Sequence, residues 1–132
     1  MATLLESIKQ KASLLNKTIV LPEGEDARVV KAAGEAANEG IAKVILLGNP
    51  EEIAKNNPDV NLEKVTIVDP VTCDKTEAYA EILYKAREGK ISKKTGLPEY
   101  ADVAAAKAYI LKDYTMFGAL MLKAGDVDGL VS

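Results

Sequence analysis

The apolar positions of this chain change their period repeatedly, and each change marks a different kind of element. Leu4, Leu5, Ile8, Ala12 and Leu15 share one helical face and predict an opening amphipathic helix. Thr18-Ile19-Val20-Leu21 is a short continuous run ended by Pro22, as a buried strand would be. Helical spacing returns with Val29, Val30, Ala33, Ala36 and Ala37, and Gly40 stands where a helix stops. The small alanines predict a helix packed close against a sheet. Lys43-Val44-Ile45-Leu46-Leu47 is the clearest strand, followed by Asn49 as a cap, Pro50 at the first helical position, and Glu51 and Glu52 in the first turn. Val65-Thr66-Ile67-Val68 reads as a third strand closed by Asp69-Pro70. Tyr79, Ile82, Leu83 and Ala86 define another helix, with Thr72 or Asp74 as its start, and Tyr100, Val103, Ala104, Ala108 and Leu111 one more. The stretch 113–124 is apolar on most sides, which predicts a buried helix.

Strands alternating with helices predict an α/β fold, a parallel sheet covered on both faces in three layers. After the turn at Gly125-Asp126-Val127-Asp128-Gly129, Leu130-Val131-Ser132 opens a strand with nowhere to run. That pattern predicts a segment cut from a longer protein. No repeat or low-complexity stretch interrupts it. Glu88–Pro98, polar and basic with two glycines and a proline, is the segment expected to be flexible.

Composition narrows the class. The 132 residues are 48% apolar and 28% charged, ordinary for one soluble globular domain. A net charge of −3 argues against wholesale nucleic-acid binding. No apolar run approaches bilayer length, and Met1-Ala2-Thr3-Leu4-Leu5 lacks the charged start and apolar stretch of a signal peptide. The single Cys73 cannot form an internal disulfide and fits a reducing compartment. The expectation is a cytoplasmic protein with neither a nucleic-acid nor a membrane partner.

Chemistry is constrained first by what is missing. The chain has no histidine, so the commonest general base is absent, and one cysteine without histidine cannot build an ordinary zinc site. Nothing near Cys73 marks it as activated, and it reads as an inert thiol. The loop Leu21-Pro22-Glu23-Gly24-Glu25-Asp26-Ala27-Arg28 follows the first strand, where parallel sheets gather ligands. It is no phosphate loop, having one glycine and three acids. Two readings stand there. Glu25 and Asp26 complement the helix dipole with Arg28 paired to one of them, or Glu23 and Arg28 line a cleft rim that offers Arg28 to an anionic substrate. Lys85, Arg87, Lys90, Lys93 and Lys94 form the densest basic stretch, either a solvated helix end and loop or a docking point for a phosphate-bearing ligand. Gly125–Gly129 lacks the further ligands of a calcium loop and is read as a turn. Met116, Phe117 and Met121 are read as core.

Several stretches together resemble the phosphate acetyl/butyryl transferase family. They are Asn16–Arg28, Gly40–Pro50, Val68-Asp69-Pro70 and, most specifically, Tyr114–Lys123 with Gly125–Ser132, in matching order and spacing. The resemblance covers essentially all of residues 1–132 as the N-terminal portion of a longer family chain, with the C-terminal catalytic part absent. It implies a two-domain fold like that of isocitrate and isopropylmalate dehydrogenases, a cleft between domains and a homodimer. It implies acetyl transfer between acetyl phosphate and coenzyme A, with coenzyme A as substrate and no metal or prosthetic group. The family's catalytic residues fall outside this sequence, so none is assigned here. Arg87 matches an arginine linked to coenzyme A binding, and Arg28 is a candidate for lining the same cleft. The segment alone is expected to be inactive. The rival readings are a butyryl-transferring relative and a non-catalytic module that senses acyl-CoA.

Overall fold

The computed structural model describes Leu4, Glu6, Ile8 and residues 17–131. Leu4, Glu6 and Ile8 are helical and Ile8 is buried, as the opening pattern predicts; Leu5, Ala12 and Leu15 lie outside the described residues.

Four strands form one parallel sheet: β1 (Thr18–Leu21), β2 (Lys43–Leu47), β3 (Thr66–Val68) and β4 (Gly129–Leu130). Their spatial order is β3-β2-β1-β4. Five helices connect them, α1 (Ala27–Asn38), α2 (Pro50–Asn56), α3 (Thr76–Ala86), α4 (Val103–Ile110) and α5 (Tyr114–Lys123). Because side chains alternate along a strand, each strand feeds two cores. Ile19, Leu21, Val44, Leu46 and Val131 pack with α1 and Ile53 of α2 on one face. Val20, Leu47 and Leu130 pack with α3, α4 and α5 on the other. The three layers expected from the sequence are present.

Local chemistry explains most boundaries. Asp26, Asn49, Asp102 and Asp113 each cap a helix, the side-chain oxygen accepting a backbone N–H two or three residues on. Pro50 occupies the first turn of α2, and Gly40, at φ +71°, closes α1 in the left-handed region. The start of α3 differs from expectation. Neither Thr72 nor Asp74 caps it; Lys75 precedes the first turn without a side-chain cap. Residues 69–73 instead fold into turns, with the Val71 N–H donating to the Asp69 carboxylate and the Thr76 hydroxyl donating to the Pro70 carbonyl at 2.6 Å.

Around helix α4, Tyr100 and Val103 pack against the core as expected, but the alanines expected there do not. Ala104 and Ala108 are exposed, whereas Ala106 and Ile110 are fully buried. In α5, Phe117 and Met121 are buried as expected, together with Leu120, while Met116 is only partly buried against the same core and Leu122 lies on the solvent side. Residues 88–98, expected to be flexible, form with Glu99 a tied hairpin between α3 and α4. Ile91 and Pro98 make an antiparallel bridge, and the Ser92 and Glu99 N–H groups donate to the Leu97 and Lys90 carbonyls at 2.8 and 3.0 Å.

Candidate functional site

The strand order makes β1 the point where the chain changes direction, since the connection from β1 leads to β2 while the return from β3 places β4 on its other side. Loops at the carboxyl ends of strands around such a point are where open parallel sheets bind ligands. Here that loop is Pro22–Asp26. It is pinned to its neighbour by the Gly24 N–H, which donates to the Leu47 carbonyl at 3.1 Å. The next loop is pinned in the same way, Gly48 donating to Val68 at 3.0 Å. A rigid shelf results, and a cavity of about 200 Å³ lies over it, lined by Gly24, Glu25, Gly48, Asn49, Glu52 and Tyr114. Burial first, and then the carboxylates of Asp69, Glu25 and Glu52, hold the Tyr114 phenol above its ordinary value. The field in this cavity is negative and does not favour phosphate.

Arg28 stands beside the shelf in the first turn of α1. Its guanidinium Nη2 lies 3.2 Å from an oxygen of Asp26, and its side chain is 90% exposed. The hydrogen bond from Arg28, side chain first and backbone second, holds the Asp26 carboxyl below its ordinary value. Of the two readings of this loop, the pairing is realised and its partner is Asp26. Arg28 also faces a cavity of about 390 Å³ shared with Leu4, Glu23 and Val29.

Arg87 sits away from the shelf, just past the C-terminus of α3, on the helix layer across the sheet from α1. Its Nε and Nη2 both reach Glu99 Oε2, at 2.8 and 2.6 Å. Together with Ile91, Ser92, Lys93 and Lys94 this pair lines a cavity of about 380 Å³. The structure therefore brings Arg87 and the basic hairpin into one place, and it leaves Arg28 in another. Sequence reasoning missed Glu99. Its only signal was the turn chemistry of Gly89, Gly96 and Pro98, which folds residue 99 back beside residue 87.

The carboxylates of the turn before β4 bond to backbone and side chains outside the turn. The Asp128 carboxylate accepts the Thr18 N–H at 2.8 Å while the Asp128 N–H donates to the Thr18 carbonyl at 2.8 Å. Asp126 accepts from the Tyr79 hydroxyl and from Lys75 Nζ at 3.2 Å. Among the described residues no carboxylate or thiol cluster fits a metal ion. The Tyr79 hydrogen bond, followed by Lys75, holds the Asp126 carboxyl below its ordinary 3.8. Burial, followed by the same hydrogen bond, pushes the Tyr79 phenol well above its ordinary 10.0.

Both shifts are linked to stability. A depressed carboxyl stabilises the fold above its unfolded value, and that contribution is lost as pH falls below about 3.8. A raised phenol stabilises below its unfolded value, and that contribution is lost as pH rises beyond about 10. We expect Tyr79→Phe to flatten the pH dependence of the urea midpoint at both extremes, while the wild-type chain loses stability at each. Parallel profiles for the two proteins would contradict this account.

No described helix is long and apolar enough to cross a membrane. Comparison with known proteins agrees with the fold and identifies its family. A sequence profile described as phosphate acetyl/butaryl transferase matches residues 3–132. The chain is 42% identical over 128 residues to a phosphate acetyltransferase of Acetivibrio thermocellus, covering 97% of this chain and 36% of that protein. It is 37% identical over 131 residues to a phosphate acetyltransferase of Thermoanaerobacterium thermosaccharolyticum, covering 98% and 37%. Among solved structures, a phosphotransacetylase from Streptococcus pyogenes superposes with a TM-score of 0.73 at 29% identity, covering 98% of this chain and 37% of that one. The EutD phosphotransacetylase from Staphylococcus aureus superposes with a TM-score of 0.72 at 28% identity, covering 96% and 36%. The chain thus spans little more than a third of these relatives. With a profile matched along nearly its whole length and the same arrangement of sheet and helices, it belongs to the phosphate acetyl/butyryl transferase family.

Proposed function

We propose that the protein carrying this chain is a phosphate acetyltransferase that moves an acetyl group between acetyl phosphate and coenzyme A. The observation that carries the reading is the agreement, over almost every residue of this chain, with relatives that bear that name. In the proposed reaction the coenzyme A thiolate attacks the acetyl carbonyl, the carbon–sulfur bond forms, the carbon–oxygen bond to phosphate breaks, and phosphate leaves. Such a transfer depends on positioning and on stabilising developing charge, and it requires no metal or prosthetic group. An acidic side chain to take the thiol proton, and the serine and arginine that steady the phosphate, belong to the part of the family's chain beyond this segment. This segment supplies a parallel-sheet layer, with Arg87 as a contact for coenzyme A and Arg28 at the rim of the cleft. The completed molecule is read as a cytoplasmic homodimer whose two domains resemble those of isocitrate and isopropylmalate dehydrogenases.

The test is thioester formation from acetyl phosphate and coenzyme A, followed with the full-length protein in the presence of a metal chelator. Rapid acetyl-CoA production is expected from the full-length protein and none above background from residues 1–132 alone. Arg87→Ala in the full-length protein should raise KM for coenzyme A about tenfold, the size of one hydrogen bond to a charged group. Full activity of Arg87→Ala with unchanged KM would remove Arg87 from the site.

A further inference from the structure

We infer that Glu99 is a built-in counter-anion at the Arg87 site, and that a phosphate-bearing ligand binds there by displacing it. This rests on the reading of Arg87 as a coenzyme A contact. The geometry that carries it is the edge of the guanidinium that Glu99 uses. A single oxygen, Oε2, takes both Nε and Nη2, at 2.8 and 2.6 Å. The paired N–H groups of one edge are the fork that binds carboxylate or phosphate in two places, so a ligand phosphate and Glu99 compete for one surface.

The surroundings favour exchange. Glu99 is held near Arg87 by its own backbone, whose N–H donates to the Lys90 carbonyl at 3.0 Å, but its side chain is only partly covered. Lys93 and Lys94 line the same cavity, and neither has a carboxylate at ion-pair distance among the described residues. The cavity thus presents two unneutralised ammonium groups beside one neutralised guanidinium. A ligand carrying several phosphates meets the lysines first, and its charge then repels Glu99 from Arg87. An exposed ion pair of this kind is weak enough to be exchanged. A ligand without phosphate has nothing with which to displace it. Glu99 therefore sets a charge threshold that separates the nucleotide end of the coenzyme from its uncharged pantetheine arm.

Calorimetric titration of the full-length protein with coenzyme A and with pantetheine tests the idea. Glu99→Gln should bind coenzyme A about two- to fivefold more tightly at low salt, the range of an exposed ion pair, with the gain shrinking as salt is raised. Pantetheine binding should not change. If Arg87→Ala weakens coenzyme A binding but Glu99→Gln leaves it unchanged or weaker, the counter-anion role is overturned and the Arg87 contact survives. If neither substitution alters coenzyme A binding, the site itself is overturned.

Discussion

Gly24→Ala is expected to destabilise the fold by about 3 kcal/mol or more, at the severe end for a single methyl group. A Cβ at this position would stand 2.2 Å from the Leu47 carbonyl oxygen and 3.0 Å from Ile53 Cδ1. The first of these neighbours is backbone at the carboxyl end of β2 and cannot rotate away. Relief requires moving the β1–α1 loop off β2, which breaks the Gly24 to Leu47 hydrogen bond and strands a buried carbonyl. Gly118 gives the control. A Cβ there meets Leu130 Cδ1 at 2.9 Å, the far end of a flexible side chain, so Gly118→Ala should cost only about 1 kcal/mol. Urea unfolding of both variants measures the difference. Equal midpoints would show that the shelf at the strand ends gives way more easily than its geometry indicates.

The second large effect lies in the other core. Phe117→Ala should cost about 3–5 kcal/mol, the usual range for emptying a fully buried aromatic site. Phe117 is fully buried between α5 and the sheet, and its ring meets Tyr79 edge to face at 5.1 Å with an interplanar angle of 90°. Truncation therefore leaves a cavity and also removes the partner that orients the Tyr79 hydroxyl toward Asp126. For a domain whose whole stability is about 5–15 kcal/mol, that loss is a large share. The measurement is the urea midpoint at neutral pH. A cost below about 1 kcal/mol would mean that α5 is not the anchor of this layer.

The parts of this fold legible in the sequence are those where chemistry acts within a few residues. Asn49-Pro50 announces α2 because a cap and a proline each act on the next turn, and Lys43–Leu47 announces β2 because a strand buried on both faces needs a continuous apolar run. The face of α4 was not legible. In Val103–Ile110 alanines occupy several sides, so the contrast between Ala104 and Ala106 carries no signal until α3 and α5 cover one of them. The start of α3 was missed because the turns after β3 are fixed by Asp69 and Thr76 bonding to backbone, an arrangement that outcompetes a cap at Thr72 or Asp74. Around the candidate site the same rule holds. Arg28 finds its partner two residues away, as the local reading allows, whereas Arg87 finds Glu99 only because a hairpin folds back.

The placement of β4 bears on how the chain comes together in time. The partners bracketed at the foot of the sheet, Thr18 and Asp128, are 110 residues apart. Strands β1, β2 and β3 and their helices meet through short connections and can condense as soon as they are synthesised. Strand β1, which lies between β2 and β4 in the finished sheet, keeps one edge unpaired until β2, β3 and the helices that follow them have been made. Closing so long a loop adds little to the equilibrium cost, because that cost grows only with the logarithm of length, but it delays the pairing. During that interval the nascent chain offers an open central edge, the template on which mispairing begins. The two bonds between Asp128 and Thr18, one to its carboxylate and one from its backbone N–H, are then the step that ends the exposure.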